Sequence, residues 1–234
     1  MKTCQEWSIE FDRLYDNIMS NKAPGLEEYE KSLFLTQAQE AVVIGLYNGS
    51  LGDAFESTEA VSNYLAPLVS QKTYTDQATD TDLPRIAGNE SYIYDMEDDL
   101  LFRTLELCTL NVSETCQDQQ AAVIPVTQDE YWRTSRDPFK GPNSRKVLRL
   151  VYATGNKKDE EHEVNHFTEL VSKYEIASYT VRYVRRPNPI ILVDLENGLT
   201  IRGESDAMTC ELDEAIHQMI LSQAVQLAKA AWNN

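Results

Sequence analysis

The chain has 234 residues, 42% of them hydrophobic, with three Trp, twelve Tyr and six Phe, so it can bury a core as one domain or two small ones. Its net charge of −17 disfavours a general nucleic-acid-binding protein. No apolar run approaches the ~18–20 residues that a membrane span needs. The N-terminus lacks the apolar stretch of a signal peptide, so we expect a cytoplasmic protein whose four cysteines are free thiols.

The first 72 residues predict a helical part. The first helix has an apolar stripe at the i, i+3, i+4, i+7 spacing, formed by Phe11, Leu14, Tyr15 and Ile18. The turn Ala23-Pro24-Gly25 ends it, and a second helix, with glutamates in its first turn, runs to Asn48-Gly49. Ser57 caps a third helix, whose stripe is Val61, Tyr64, Leu65 and Leu68. A linker over residues 73–90 follows, and it begins within the polar run SQKTYTDQATDTD.

Residues 91–208 predict a β-rich part. Alternating and β-compatible residues fill the segments LLFRTLELCTL, KVLRLVYA and SYTVRYVRR, and Pro187 and Pro189 end the last of these. The segments IILVDL and LTIRG, joined across Glu196-Asn197-Gly198, predict a hairpin of the Asn-Gly kind. A long loop over residues 128–146 holds two prolines, a glycine and several aromatic residues. Loops of that length in a compact domain are usually functional or disordered.

Residues 209–234 predict a C-terminal helix that runs from Asp213 to Trp232. We expect it to pack on the N-terminal helices and complete their bundle. The predicted fold class is therefore α+β, with a helical bundle made from both termini and a mostly antiparallel β portion inserted between them. The residues that line the predicted packing side of the helix are Ile216, Ile220, Ala224, Leu227 and Ala231, with small residues at Ala224, Ala228 and Ala231.

Charge is unevenly distributed along the chain. Residues 131–186 hold twelve Lys/Arg against seven Asp/Glu, whereas the remainder holds nine against thirty-one. Two interpretations are open. The pattern is either a solvated surface with scattered charge, or a device for head-to-tail self-association in which the basic belt of one copy meets the acidic flank of the next.

Residues 162–166 spell H-E-x-x-H, the pattern of a zinc peptidase helix. If residues 160–174 form a helix, His162 and His166 point away from its apolar side, whereas such a ligand helix lines a closed cleft. If they form a strand, the two histidines lie ~13 Å apart and cannot share an ion. We interpret the motif as coincidental and keep a zinc metallohydrolase only as an alternative. No glycine-rich phosphate-binding pattern is present, so the sequence predicts no catalytic, cofactor or metal site and no enzyme.

The segments that point to a known family are EFDRLYDNIMSNKAPGLEEYEKSLFLTQAQEAVV, IPVTQDEYWRTSRDPFKGPNSRKVLRL, YTVRYVRRPNPIIL and CELDEAIHQMILSQAVQLAKAAW. These four blocks resemble structural proteins of crAss-like and related Bacteroides bacteriophages. They occur in the order of that family, cover 98 of the 234 residues and lie towards both ends of the chain. The H-E-x-x-H motif falls between them. The family that they resemble is a ring-forming neck component of the virion, a head-to-tail connector.

The resemblance implies a non-enzymatic subunit that assembles in the host cytoplasm into a homo-oligomeric ring of twelve copies. The ring would lie in the virion neck between the portal protein and the tail, beside other neck or tail ring proteins. Packaged DNA would pass through it without specific binding, along an acidic channel, and no membrane is involved. A tail-tube or tail-hub component is a further alternative. The residues that we predict to contact a neighbouring subunit or partner are Tyr131, Trp132, Arg133, Arg136, Phe139, Lys140, Arg145, Arg185 and Arg186.

Overall fold

A computed structural model describes residues 2–18, 25–51, 59–77, 85–87, 91–113, 118–155, 164–196 and 198–232. The chain divides into two compact units. The helical unit comprises Met1–Val69 and Arg186–Asn234, and the sheet unit comprises Ser70–Arg185. The fold is mixed α+β, as predicted.

The described residues form five α-helices and seven strands. The helices are α1 (Cys4–Ile18), α2 (Glu28–Asn48), α3 (Glu59–Leu65), α4 (Gln128–Arg136) and α5 (His217–Trp232). Short 3-10 turns, Ala66–Leu68 and Glu214–Ile216, follow α3 and precede α5. The strands are β1 (Val69–Tyr74), β2 (Ser91–Asp95), β3 (Leu100–Asn111), β4 (Gln119–Pro125), β5 (Lys146–Gly155), β6 (Val164–Val171) and β7 (Glu175–Arg185). None of the helices described is long and apolar enough to cross a membrane.

In the helical unit, α5 packs against α2 and α1. Of the predicted stripe of α1, Phe11 and Tyr15 are buried and Leu14 is half-buried, while the side chain of Ile18 lies outside the described residues. Trp7, which the stripe did not include, is buried as well. The predicted side of α5 is correct at its start and wrong at its end, because Leu227 is half-buried and Ala231 is exposed. Two helices cover α5, so its buried face is broader than one stripe. That face consists of Ile220, Leu221, Ala224, Val225 and Ala228.

His217 lies fully inside the helical unit. Its ring is 4.9 Å from the ring of Trp7, and its Nε2 lies 3.0 Å from the carbonyl oxygen of Leu212. Its Nδ1 is buried and has no hydrogen-bond partner in the described part of the chain. Burial lowers the pKa of His217 below its ordinary value. The folded protein therefore holds this imidazole neutral and disfavours its protonation.

We expect stability to fall as the pH drops below the unfolded-state pKa of histidine, about 6.5, because the unfolded chain then binds a proton that folded His217 resists. Above that pH the contribution is fully present. Free energies of unfolding from urea titrations between about pH 5 and 7 test this linkage. His217→Gln keeps an N–H donor and should flatten that slope. An equal slope in both proteins would contradict the assignment to His217.

The seven strands form one sheet in the order β1-β7-β3-β4-β5-β6-β2. The pairs β2 with β6, β3 with β4, β3 with β7 and β5 with β6 are antiparallel, whereas β4 and β5 pair in parallel. Strands β1 and β2 stand at opposite ends of this order, yet the rings of Tyr74 and Tyr94 are 6.0 Å apart. Both also contact the ring of Tyr179 on β7, at 5.9 and 5.3 Å. The sheet is therefore curled, and its core lies inside the curl.

The linker predicted from residue 73 begins inside a strand. Thr73 and Tyr74 belong to β1, and the hydroxyl of Thr73 lies 2.9 Å from that of Thr180 on β7. Tyr74 supplies the strand's buried side chain. The remaining side chains of β1 are half-buried or exposed, and most of them are polar. The sequence of this strand therefore resembles that of a loop.

The hairpin predicted for IILVDL and LTIRG is wrong. A turn is present, since the amide of Leu199 donates to the carbonyl of Glu196 at 3.2 Å and Gly198 has a φ of +78°. The flanking segments form no ladder, only the isolated bridges Ile191 to Met208 and Ile201 to Glu204.

Side chains of α2 replace the missing strand partner. The amide of Ile190 donates to the hydroxyl of Thr36, and that of Leu192 to the hydroxyl of Ser32, each at 3.0 Å. Buried backbone amides need a partner, and here two hydroxyl groups more than 150 positions away in sequence provide it. The segment is thereby held against α2 in the helical unit.

Candidate functional site

The H-E-x-x-H motif does not form a ligand helix over the part of it that the structure describes. Val164 begins strand β6, and the backbone of His166 pairs with that of Ala153 on β5. The hypothesis of a helix is therefore wrong for residues 164–171, while His162 and Glu163 lie outside the described residues. Over the described ranges, no group of three or more His, Cys, Asp and Glu residues is placed to hold a metal ion.

Residues 128–146 were predicted to be a long loop, and they instead contain helix α4. Asp129 and Glu130 occupy its first turn and Arg133 and Arg136 its last turn, so both ends complement the helix dipole. Asp137 after the helix is extended, as the residue before a proline prefers, and Pro138 prevents the helix from continuing. The prolines and glycine that suggested a loop belong to the turn after α4.

We call α4 and the turn that follows it, residues 128–145, the tip. Tyr131 anchors the tip to the sheet unit, since it is buried in a cluster with Leu148, Leu150 and Val171. Its ring is covered by its own chain. Tyr131 thus differs from the other predicted contact residues of the tip, which are exposed.

The aromatic side chains Trp132 and Phe139 project from the tip. Trp132 is 59% exposed and Phe139 is 87% exposed. The guanidinium of Arg136 lies 5.5 Å from the centre of the Trp132 ring, within the range of a cation–π contact. Arg133, Lys140 and Arg145 are also exposed, so the tip combines apolar rings with positive charge.

The turn of the tip has a defined backbone conformation. Asp137 Oδ1 accepts from the amides of Phe139 and Lys140, at 2.8 and 3.1 Å. These hydrogen bonds lower the pKa of the Asp137 carboxyl. The carbonyl of Asp137 accepts from the amide of Gly141 at 2.7 Å, and Lys146 Nζ donates to the carbonyl of Phe139 at 3.2 Å. The exposed ring of Phe139 is therefore presented on an ordered turn.

Gly141→Ala is expected to destabilise this turn. A Cβ at position 141 would lie 2.8 Å from the carbonyl oxygen of Asp137 and 2.9 Å from that of Ser135, and backbone atoms cannot move aside cheaply. Overpacking of this kind costs about 1–3 kcal/mol. Urea denaturation and hydrogen exchange at the amides of Phe139 and Lys140 measure the effect. Gly25→Ala is the control, because no atom of the described residues lies within 4 Å of its added Cβ. Unchanged exchange in the position-141 variant would contradict the prediction.

Arg185 and Arg186 do not belong to the tip. Arg185 ends β7 and is half-buried, whereas Arg186 is the first residue of the second segment of the helical unit. Arg186 Nε lies 3.2 Å from Glu40 Oε1, and Arg202 contacts the other oxygen of the same carboxylate. Substitution of Arg186 would break a contact within the chain, so Arg133 and Arg145 are better positions for testing a contact between chains.

The sequence analysis missed a charged cluster inside the sheet unit. Glu106 on β3 is 10% exposed, and its Oε2 lies 2.6 Å from Arg149 NH1 on β5. Its Oε1 lies 3.7 Å from Arg103 Nε and accepts from the hydroxyl of Tyr179. Arg103 NH2 also donates to the hydroxyl of Thr168 on β6 at 2.8 Å. The cluster joins β3, β5, β6 and β7.

Burial and neighbouring charges shift the pKa values of two residues in this cluster. Burial, followed by the charge of Glu106, raises the pKa of Tyr179, which keeps that phenol protonated as a donor. Burial, followed by the neighbouring charge of Arg149, lowers the pKa of Arg103. Positions 103 and 106 fall on opposite faces of a regular strand, but the ladder of β3 with β7 shifts register between Arg103 and Leu105. This irregularity, which no sequence pattern signals, lets the side chains of Arg103 and Glu106 meet.

The tip presents exposed aromatic and guanidinium groups on an ordered turn. Trp and Arg are enriched at the energetic centres of macromolecular interfaces.

The phage tail ring protein 3/4 family matches the chain over residues 1–234. The chain is similar to ring protein 3 of Bacteroides phage crAss001, with 38% identity over 231 residues that cover 97% of this chain and 94% of that protein. It is also similar to ring protein 4/5 of the same phage, with 34% identity over 234 residues that cover 97% and 92% of the two chains.

The chain belongs to the phage tail ring protein 3/4 family. The resemblance to structural proteins of crAss-like phages, drawn from the four sequence blocks, is confirmed. The protein is a ring protein of a crAss-like phage and a structural component of the phage particle.

Proposed function

We propose that this protein is a non-enzymatic neck component that forms a homo-oligomeric ring of twelve copies and connects the portal protein to the tail. The observation that carries the proposal is the match to a ring protein family over the whole chain. Both crAss001 relatives are named as ring proteins. Two related ring proteins in one phage favour a stack of similar rings, in which this protein contacts other neck or tail ring proteins as well as its own copies.

Ring closure needs two different surfaces on each subunit, because a head-to-tail interface joins one face of a copy to another face of the next. The tip supplies one candidate face, with exposed Trp132 and Phe139 among positive charges. The rest of this strongly acidic chain supplies the opposite sign. Complementary charge aligns such faces and disfavours wrong pairings.

The acidic character of the chain also suits a passage for DNA. A channel lined by carboxylates repels phosphates and lets the duplex slide, whereas clustered Lys and Arg would bind it. We propose that packaged DNA passes through the ring without specific binding and that assembly takes place in the host cytoplasm before the virion is complete.

A native mass spectrum of the purified protein, in a volatile buffer supplemented with zinc, tests the proposal. The expected spectrum shows a species of twelve times the subunit mass without bound metal. A different ring multiple would correct the copy number only. A chain that stays monomeric contradicts assembly by the chain alone, and a monomer carrying one firmly held zinc would favour a metallohydrolase. Imaging of the virion then distinguishes a neck ring from a tail-tube or tail-hub component.

A further inference from the structure

The helical unit contains an open apolar groove. It has a volume of about 560 Å³, within the range of clefts that bury most of a small ligand. Tyr15 of α1, Leu33 and Phe34 of α2 and Ala228 of α5 line it. Tyr15 and Ala228 are buried, while Leu33 and Phe34 remain half-buried, so the groove exposes apolar surface that its own helices leave uncovered.

The groove has an acidic rim. Glu27 and Glu30 line it and are exposed. Exposed Asp16 follows the lining residue Tyr15 on α1 and adds a further carboxylate to this end of the helix. Burial, followed by the charges of Asp16 and Glu30, raises the pKa of Tyr15. No lysine or arginine is among its described lining residues. An occupant of this groove must therefore bring apolar groups together with positive charge.

Glu27 and Glu30 are fixed in place by the start of α2. Glu30 Oε2 accepts from the amide of Glu27 at 3.0 Å, and the side chain of Glu27 accepts in turn from the backbone of Glu30, which forms a capping box. Both carboxylates therefore stay at the mouth of the groove. They provide a fixed negative rim for a cationic partner.

The tip meets both requirements. Of the large apolar side chains that are exposed on described residues, the two aromatic ones are Trp132 and Phe139, and both lie in the tip. Arg133, Arg136, Lys140 and Arg145 surround them in sequence and are exposed. Over residues 128–145, four basic residues outnumber three acidic ones. The sign of charge and the apolar character of the tip therefore match the groove.

We propose that the tip of one copy docks into the acidic-rimmed groove of the neighbouring copy, and that this contact is the repeating interface of the ring. The inference rests on the proposed function, because it requires copies of the chain to associate. The tip belongs to the sheet unit and the groove to the helical unit, so the contact joins two different parts of the chain. Such a contact is heterologous and can repeat around a closed ring.

Charge exchange between the two surfaces tests the contact. The tip variant carries Arg133→Glu and Arg145→Glu, which leave Arg136 over Trp132. The groove variant carries Asp16→Lys, Gln37→Lys and Ala231→Lys, all at exposed positions that leave the capping box of α2 intact. Assembly is measured by native mass spectrometry over a concentration series.

Each variant alone is expected to need at least a tenfold higher concentration for half-assembly than the wild type, because like charges then face each other. The chain that carries all five substitutions is expected to recover assembly, because the signs are exchanged and attract again. Recovery by combining two defects excludes misfolding as the cause. Phe139→Ala, at an exposed position, is expected to weaken assembly about tenfold through the apolar part of the contact.

Two control variants carry the same chemical changes elsewhere. Ala41→Lys with Gln226→Lys adds charge to exposed positions of α2 and α5 that do not line the groove, and Arg182→Glu reverses an exposed charge on β7. Both should assemble like the wild type. If the tip variant and the groove variant assemble into rings at the same concentration as the wild type, this interface is overturned and the proposed function stands. Failure of the combined variant to recover would also overturn it, whereas a wild type that stays monomeric would overturn self-assembly and this contact together.

Discussion

Replacing Glu106 with Leu is expected to lower the free energy of unfolding by about 3–5 kcal/mol. The substitution leaves Arg103 and Arg149 inside the curled sheet without the carboxylate that lies 2.6 Å from Arg149 NH1 and 3.7 Å from Arg103 Nε. It also removes the acceptor of the Tyr179 hydroxyl. Uncompensated buried charge, rather than the net value of the ion pair, produces the loss. Urea denaturation followed by circular dichroism measures it.

Two further variants distinguish uncompensated buried charge from other causes of the lost stability. Glu175→Gln makes a neutralising change at an exposed position of β7, where an effect within about 0.5 kcal/mol is expected. The triple variant Arg103→Met, Glu106→Leu, Arg149→Met removes all three charges and should regain most of the stability, because no unpaired charge remains. A triple variant as unstable as Glu106→Leu would show that lost packing, and not charge, is responsible.

Replacing Trp7 with Ala is expected to cost about 3–5 kcal/mol, the usual penalty for emptying a large aromatic site in a core. Trp7 is fully buried on α1, and its ring lies against that of His217 on α5. Loss of this ring removes packing between the first and last helices of the chain. The midpoint of chemical denaturation reports the change.

Trp7→Phe is expected to restore most of the loss, because the indole Nε1 is buried without a hydrogen-bond partner among the described residues. Ile9→Ala is the matched control on the same helix, since Ile9 is 58% exposed, and its effect should stay within about 0.5 kcal/mol. Equal effects at positions 7 and 9 would contradict the proposed packing of α1.

The helices and the long strands were predictable because their signals are local. Phe11 and Tyr15 repeat at the helical period and are buried, and Gly49 ends α2 in a left-handed conformation as the Asn-Gly pair predicts. On β7, the buried Tyr179, Val181 and Tyr183 follow the predicted period of two. Each of these elements carries its own pattern within about ten residues.

The tip was only partly predictable. Its exposed aromatic and basic residues were recognised as contact candidates, and their role in contacts stays a prediction. Its secondary structure was predicted wrongly, since Pro138, Gly141 and Pro142 favour a loop whereas the residues before them form α4. The burial of Tyr131 depends on Leu148, Leu150 and Val171, which approach it only in the folded sheet. Local sequence cannot reveal which ring of the pair Tyr131-Trp132 faces inward.

From the sequence alone follow the α+β class, the positions of α1, α2, α3 and α5 and of the three longest strands, the uneven charge and the phage structural family. Only the tertiary structure decided that IILVDL binds the hydroxyls of Ser32 and Thr36, that the sheet curls until Tyr74 meets Tyr94, and that a register shift gathers Arg103, Glu106 and Arg149. It also placed the acidic groove on three helices from opposite ends of the chain. The physical reason is that periodicity and capping act between neighbours along the chain, whereas these features depend on groups far apart in sequence whose approach is set by packing.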